Sequence, residues 1–327
     1  MKKKLLLGLI TLGAASMLCG FDSAQTAEGV LDKMNEVSSS VEGMTMDMDM
    51  NLDAAINISD SQTTSSLAIG MTGGFDVAAA MDPFGISMDG SFKVSALTQA
   101  QEMTMKMYGV VGENGSFDTY TYAQESADQP GQWVYQSEDG FDMNQIMELS
   151  KTTLSASDYA EWGLNFTLAP EAADVNGTEC YALSAVIDKD ALNTMITKVS
   201  ELAGQELPSS DELSLAMSYI DGLQMNITYY VDTATYYPVS AHIDFNGSDL
   251  STINSLLATS MGDLGEGTSA ELVLNDFSMD MALDYSAVPE ITVPQEALDA
   301  VASGAAVSAD DMADALEEAA ESEAGLE

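Results

Sequence analysis

Hydrophobic and polar residues alternate strictly over residues 44–53. Met44, Met46, Met48 and Met50 take every second position, and most residues between them are aspartates. Successive side chains of a β-strand point to opposite faces, so the alternation predicts a methionine stripe on one face and a carboxylate stripe on the other. A sheet with one buried and one solvated face is typically antiparallel.

The same alternation returns near the end of the chain, where Met279 and Met281 flank an aspartate. Shorter alternating or β-branched segments lie between the two stripes. An Asn-Gly pair at 114–115 is typical of a tight hairpin, and a second pair at 176–177 opens a strand. Together they predict an antiparallel meander. The predicted strands are 44–53, 63–77, 86–97, 102–111, 115–123, 132–136, 178–187, 223–232, 236–245 and 269–285.

A helical period replaces the alternation in other segments, where apolar residues recur every three or four positions. It predicts helices over 24–41, 142–153, 190–203 and 209–220 and a short helix over 295–301, with a loop around Tyr159 and Trp162. We therefore expect an α+β fold, in which a strongly curved antiparallel sheet, an incomplete barrel, carries the four longer helices on its concave face. The methionine stripes should face those helices, because a half-barrel has one face to bury.

The N-terminus is typical of a secretory signal, since Lys2, Lys3 and Lys4 precede a short apolar run that ends at Leu18. Cys19 follows that run and is a candidate for lipidation and membrane anchoring. Leu18 and Ser16 fit the lipidation pattern poorly, and cleavage after Ser16 would give a secreted chain instead. The expected division is signal 1–18, tether 19–27, a folded domain 28–303, and an acidic helical or disordered tail 304–327.

The chain is strongly acidic, with 53 acidic residues, nine lysines and a formal net charge of −44. This charge excludes nucleic acid as a partner, because phosphate binding needs a basic surface. Apolar residues make up 46% of the chain, which is enough for a folded core. If Cys19 is acylated, Cys180 is left without a disulfide partner.

The methionines are the main candidates for ligand contact: Met44, Met46, Met48, Met50, Met103, Met105, Met107, Met279 and Met281. Thioethers select Cu(I), so a copper-binding protein is one alternative. However, alternate residues on one strand lie about 7 Å apart, too far for a single ion without a neighbouring strand. We therefore predict no metal or other cofactor and favour an apolar cavity lined by these flexible side chains.

Catalysis finds little support in the sequence, so no catalytic residue is assigned and the protein is predicted not to be an enzyme. The chain has a single histidine, His242, and lacks the common hydrolase and phosphate-binding motifs. The Asp47, Asp49 and Asp53 stripe does not form a loop that could wrap a calcium ion, and a solvated face is the simpler interpretation. Tyr229, Tyr236 and Tyr237 are candidates for surface contact or for a cross-strand ladder.

Four short segments carry a resemblance to a known group: VLDKMN at 30–35, VNGTECY at 175–181, YYVDTATYYP at 229–238 and ITVP at 291–294. With the order of predicted elements over about 25–300, the chain resembles the lipoprotein-carrier superfamily. That superfamily includes LolA-like proteins and LppX-LprG-like lipoproteins, and the chain looks closest to uncharacterised Gram-positive lipoproteins of that fold. The resemblance implies a non-enzymatic lipoprotein at the extracellular face of the membrane that holds a lipid or other apolar molecule between sheet and helices.

Two alternatives stay open at this point. The core could be filled, in which case the protein would be a structural or sensing envelope lipoprotein acting through surface contacts with protein or cell wall. The second alternative is that the protein binds copper. The carriers' arginine near the cavity mouth has no counterpart, because the chain contains no arginine.

Overall fold

The computed structural model describes residues 26–59, 63–96, 99–112, 115–124, 126, 130–138, 155–202, 213, 217–218, 220–260 and 269–308. The first described element is helix α1, Ala27–Ser38. It begins after Thr26, whose hydroxyl accepts a hydrogen bond from the Gly29 amide at 3.1 Å and so satisfies one of the free amides of the first turn. Val30, Leu31 and Met34 form its buried face.

Thirteen strands of the described residues form one sheet. They are β1 Gly43–Ser59, β2 Thr64–Met81, β3 Phe84–Ala96, β4 Gln99–Val111, β5 Phe117–Gln124, β6 Gln132–Glu138, β7 Thr167–Leu168, β8 Ala173–Val175, β9 Thr178–Ile187, β10 Met225–Asp232, β11 Pro238–Asp244, β12 Ser269–Asp284 and β13 Val307–Ser308. The strand order is β13-β6-β5-β4-β3-β2-β1-β12-β11-β10-β9-β7, and β8 also pairs with β9. Every pairing is antiparallel except that of β13 with β6.

The centre of the sheet joins the two methionine–aspartate strands. β1 pairs with β12 from Thr45 opposite Asp284 to Ser59 opposite Ser269, with one irregularity in register at Asp53/Ala54. β2 pairs with β1 on its other side over the full length of β1. The predicted α+β class with an antiparallel sheet is confirmed, and the strand order is open, since its two ends are β13 and β7.

Two more helices pack with α1 against β9 and β10. They are α2, Ala156–Glu161, and α3, Lys189–Leu202. Leu31 of α1, Tyr159 of α2 and Ala191 of α3 share one buried cluster with Leu183 of β9 and Val231 of β10. We call the side of the sheet that carries this cluster the helix face.

The predicted loop around Tyr159 is wrong, because α2 occupies part of it. Ser155 and Asp158 form a reciprocal capping box, in which the Ser155 hydroxyl accepts from the Asp158 amide and the Asp158 carboxylate accepts from the Ser155 amide at 2.6 Å. These hydrogen bonds hold the pKa of Asp158 below its ordinary value. The Ser-x-x-Asp pattern is a sequence signal for a helix start.

Helix α4, Ser251–Ser260, was not predicted. It lies beside β12 in the part of that strand that β11 does not reach, since β11 pairs with β12 only as far as Ser278. Asn254 caps this free edge: its amide group donates to the Leu272 carbonyl at 3.2 Å and its carbonyl accepts from the Leu272 amide at 2.6 Å. Covering an edge in this way prevents it from pairing with another chain.

Helix α5, Gln295–Ser303, packs on the face opposite to α1. Ala297 is fully buried against Tyr120 and Trp133 of β5 and β6. The segment that leads to α5 runs against the surface of the sheet. A Cβ on Gly85 would lie only 2.9 Å from the Cβ of Ile291 in that segment. Of the four helices expected on one face, α1 and α3 are described and lie on the helix face; no face was predicted for the short helix α5, which lies on the other side.

Several predictions concern residues that the structure does not describe. The signal 1–18, the helix 142–153 and most of the helix 209–220 lie outside the described residues. The sheet includes β13, which lies beyond residue 303, where we expected the tail to begin. The second Asn-Gly pair opens β9 as predicted and also makes a tight turn from β8, which was not predicted, with φ angles of 51° and 87° at Asn176 and Gly177.

Candidate ligand face

The register of the strands decides which side chains share the helix face, because directly paired residues point to the same side. One row can be followed across the sheet: Leu183, Tyr229, Ala241, Met281, Met48, Phe75, Gly90 and Met105. The row begins under α1 at Leu183 and continues onto the methionines. The methionines of β1, β4 and β12 therefore lie on the helix face.

All nine predicted methionines occupy that face. Met48 lies opposite Met281, and Met50 lies opposite Met279 across the β1–β12 pair. Met105 ends the row traced above, and the other four lie in neighbouring rows: Met44, Met46, Met103 and Met107. The sequence interpretation did not single out Met88, opposite Met107, or Phe75 and Phe92. Their alternating positions in β2 and β3 were the signal that could have found them.

Burial changes along the helix face. Leu183 and Val231 are 0% exposed beneath α1. By contrast, each of the nine methionines is only half-buried. Among the described residues, helices α1–α3 thus cover the helix face over β9 and β10. The same face remains accessible over β12, β1 and β4. We call the accessible part, lined by these nine methionines, the methionine face.

The opposite side of the sheet is polar and acidic. Asp47, Asp49 and Asp53 are exposed there, as the sequence predicts. An open groove of about 450 Å³ crosses this side between β12 and β4. Its walls combine acidic, basic and neutral polar groups, with Asp49, Asp280, Glu102, Lys93, Asn51 and Ser91 among them. Within the described part of the chain no group of three or more His, Cys, Asp and Glu residues is arranged to hold a metal ion.

His242 also lies on the acidic side and is held between two carboxylates. Its Nδ1 atom is 2.7 Å from Asp280 Oδ1, and its Nε2 atom is 3.5 Å from Asp244 Oδ2. Burial alone would raise the pKa of Asp244, but hydrogen bonds from Asn226 and the Asn246 amide, with the His242 charge, bring it below its ordinary value. Both ring nitrogens thus face carboxylates.

The three candidate tyrosines do not share one surface. Tyr229 packs beneath the helices beside Phe166, with ring centroids 6.3 Å apart, and burial raises its pKa to about 12. Tyr236 stacks on Tyr181, and the Lys33 ammonium lies 4.6 Å from its ring centroid. Tyr237 stacks instead on Tyr285, with centroids 5.2 Å apart. All three have intramolecular packing roles, and their use in surface contact stays a prediction.

Of the two cysteines, only Cys180 belongs to the described residues. Cys180 is a free thiol, 0% exposed, and burial raises its pKa, which fits the prediction of a small buried side chain. Cys19 lies outside the described residues. Among the described residues, no helix has the length and apolar character to cross a membrane.

Comparison with known proteins assigns the chain to a family. Residues 26–248 match the model of a family of unknown function, DUF6612, and the chain belongs to that family. The match runs from the start of α1 to just beyond β11 and stops before β12. A search of curated proteins finds no match.

Several solved structures are similar to the chain at low identity. LprF from Mycobacterium bovis is 14% identical, with a TM-score of 0.35 and coverage of 84% of this chain and 98% of that one. Mycobacterium tuberculosis lipoprotein LppX is 8% identical, with a TM-score of 0.30 and coverage of 80% and 94%. A putative outer membrane lipoprotein-sorting protein domain from Vibrio parahaemolyticus is 9% identical, with a TM-score of 0.20 and coverage of 77% and 90%. At these scores the likeness carries no argument about ligand or activity.

Proposed function

We propose that the protein is a non-enzymatic lipoprotein of the cell envelope that binds a lipid or other apolar molecule on the methionine face. The observation that supports this proposal is the change in burial along the helix face, from Leu183 at 0% exposed to the half-buried methionines. Burying apolar surface stabilises a folded chain by about 25 cal/mol per Å². An apolar face left accessible is typical of a binding site.

Methionine suits a site of loose specificity. Its unbranched side chain adapts to ligands of different shape and fills irregular gaps. Phe75 and Phe92 add rigid apolar surface in the rows beside Met48 and Met103. No charged side chain belongs to the row from Leu183 to Met105, so an acyl chain along it would meet apolar groups only.

Bound lipid is the direct test. Protein purified under native conditions is extracted with organic solvent, and lipids are quantified by mass spectrometry per mole of protein. The variant Met48→Gln/Met281→Gln places two amides in the middle of the face at similar volume. We expect at least a tenfold loss of bound lipid, because each buried amide without a partner costs about 1–3 kcal/mol.

Asp47→Asn/Asp49→Asn is the matched control. It changes the same part of β1 on the opposite face, so bound lipid should stay within twofold of the wild-type value. Wild-type protein free of lipid, or equal loss in both variants, would refute the proposal. The protein would then be a lipoprotein with a filled core that acts through its surface.

We also propose that Cys19 is the anchor. Two acyl chains on one lipid group give stable membrane attachment, whereas one is marginal. The variant Cys19→Ser should move the protein from the membrane fraction to the medium, or leave an unprocessed precursor. Wild-type protein found free in the medium with its N-terminus at Met17 would show that it is secreted and not anchored.

A further inference from the structure

Four methionines form a square at the centre of the sheet. Met48 and Met50 are alternate residues of β1, and Met281 and Met279 lie directly opposite them on β12. All four side chains point to the helix face and are half-buried. The two strands come from distant parts of the sequence, so the square exists only in the folded chain.

The spacing of the square allows its sulfur atoms to meet. Directly opposite residues have Cβ atoms about 5 Å apart, and alternate residues of one strand are about 7 Å apart. The centre of such a rectangle is therefore about 4 Å from each Cβ. A methionine sulfur is two bonds from its Cβ on a freely rotating side chain, so four thioethers can converge on one ion above the centre. The second strand removes the distance objection that applies to a single strand.

The surroundings of the square favour a soft ion. Its neighbours in the same rows are Phe75 and Gly73 on β2 and Ala241 and Ile243 on β11. None of these offers a side-chain oxygen or nitrogen. A hard cation would lose its water without replacement, whereas thioether sulfur is a ligand that selects Cu(I).

The negative charge of the acidic side also favours cation binding near the square. Asp49 and Asp280 alternate with the four methionines on the same strands and lie opposite each other on the acidic side. Their negative potential, with that of a chain of net charge −44, raises the local concentration of cations. The thioether sulfurs on the other side of the sheet then select which cation is bound.

From this geometry we propose that Met48, Met50, Met279 and Met281 bind one Cu(I) ion through their thioether sulfurs. The site is on the methionine face but does not depend on lipid binding there. Leucine would fill a similar apolar volume. It could not coordinate the ion.

The test uses the full chain with Cys19→Ser and Cys180→Ala, so that no thiol is present. Cu(I) is supplied under argon with ascorbate and competed with bicinchoninate. We expect one ion per chain and at least a tenfold loss of affinity when all four methionines are changed to leucine. The control Met44→Leu/Met46→Leu removes two thioethers from the same strand and face that have no methionine opposite, and its affinity should stay within twofold.

Lipid content is measured on the same proteins. Wild-type protein that carries no lipid but binds one copper ion would refute the lipid proposal alone, so the two results are separate. Lack of copper binding by the wild type, or equal loss in the control, would overturn the copper site alone. If the four-leucine variant does not fold, X-ray absorption of the copper-loaded wild type decides. Three or four sulfur ligands support the site, and nitrogen or oxygen ligands refute it.

Discussion

Replacing Leu31 with alanine should show how firmly α1 is held against the sheet. Leu31 is 2% exposed and packs in the cluster that contains Leu183 and Val231. The change removes three carbon groups at about 0.8 kcal/mol each, and the cavity left behind adds to this loss. We therefore expect the free energy of unfolding to fall by about 3 kcal/mol.

Urea denaturation followed by tryptophan fluorescence measures this change. With a slope of about 3 kcal/mol per M, the midpoint should fall by about 1 M. Leu298→Ala is the matched control, since Leu298 is a leucine of α5 that is 39% exposed, and its cost should stay below about 1 kcal/mol. Equal effects of the two changes, or a loss below about 1 kcal/mol for Leu31→Ala, would refute the docking of α1 on β9 and β10.

Three further predictions follow from single contacts. The pKa of Asp158 is lowered by Ser155, so the stability advantage of the wild type over Asp158→Asn should be full above about pH 4. It should shrink as the pH falls through the lower folded-state pKa, as measured by urea denaturation across pH. Burial raises the pKa of Tyr229 to about 12, so stability should decline from about pH 10 upward, and Tyr229→Phe should flatten this decline. Gly90→Ala should destabilise the sheet in thermal melts, because its Cβ would collide with the Gly74 carbonyl and the Phe75 ring, whereas at Gly74 the nearest atom, Asp49 Oδ1, is 3.4 Å away.

Each of these has an outcome that would contradict it. A constant difference between wild type and Asp158→Asn down to pH 2 would deny the capping role. A phenolate absorbance change near pH 10 that disappears in Tyr229→Phe would deny the burial of that tyrosine. Equal melting temperatures for Gly90→Ala and Gly74→Ala would deny the close packing of β2 on β3 at that point.

The strands were predictable from the sequence because alternation fixes both the element and its faces. The methionine–aspartate stripe placed β1 and β12 in the sheet, and β1 extends further, to Ser59, into a segment with less regular polarity. The pairing of β1 with β12 was not predictable, since nothing local specifies which distant strand is a neighbour. Their shared pattern was the available hint.

The existence of α4 and the position of α5, which the sequence did not predict, have physical explanations. Helix α4 is rich in serine and threonine, which have low helix propensity, and its place beside the free edge of β12 stabilises it through Asn254. The position of α5 follows from aromatic residues on the other side of β5, where Tyr120 and Tyr122 alternate with threonine. That alternation was visible, and it indicates that the tyrosine side of β5 packs against another element.

For the candidate site, the sequence predicted which methionines share a face, since that depends on alternation within each strand. It could not predict that Met48 meets Met281 or that α1 covers β9 and not β1, because both depend on strand order. The burial of Tyr229 likewise depends on helices from elsewhere in the chain.

The pairing of β1 with β12 has a consequence for how the chain folds. Thr45 and Asp284 are neighbours in the sheet, so forming this pair closes a loop of about 240 residues, at an entropic cost that rises with the logarithm of loop length. Contacts of such long range slow folding. A chain that emerges from its N-terminus first must wait for β12 before the middle of its sheet can close. Until then β1 presents one unpaired, methionine-rich edge, and this interval is when the protein is most exposed to aggregation.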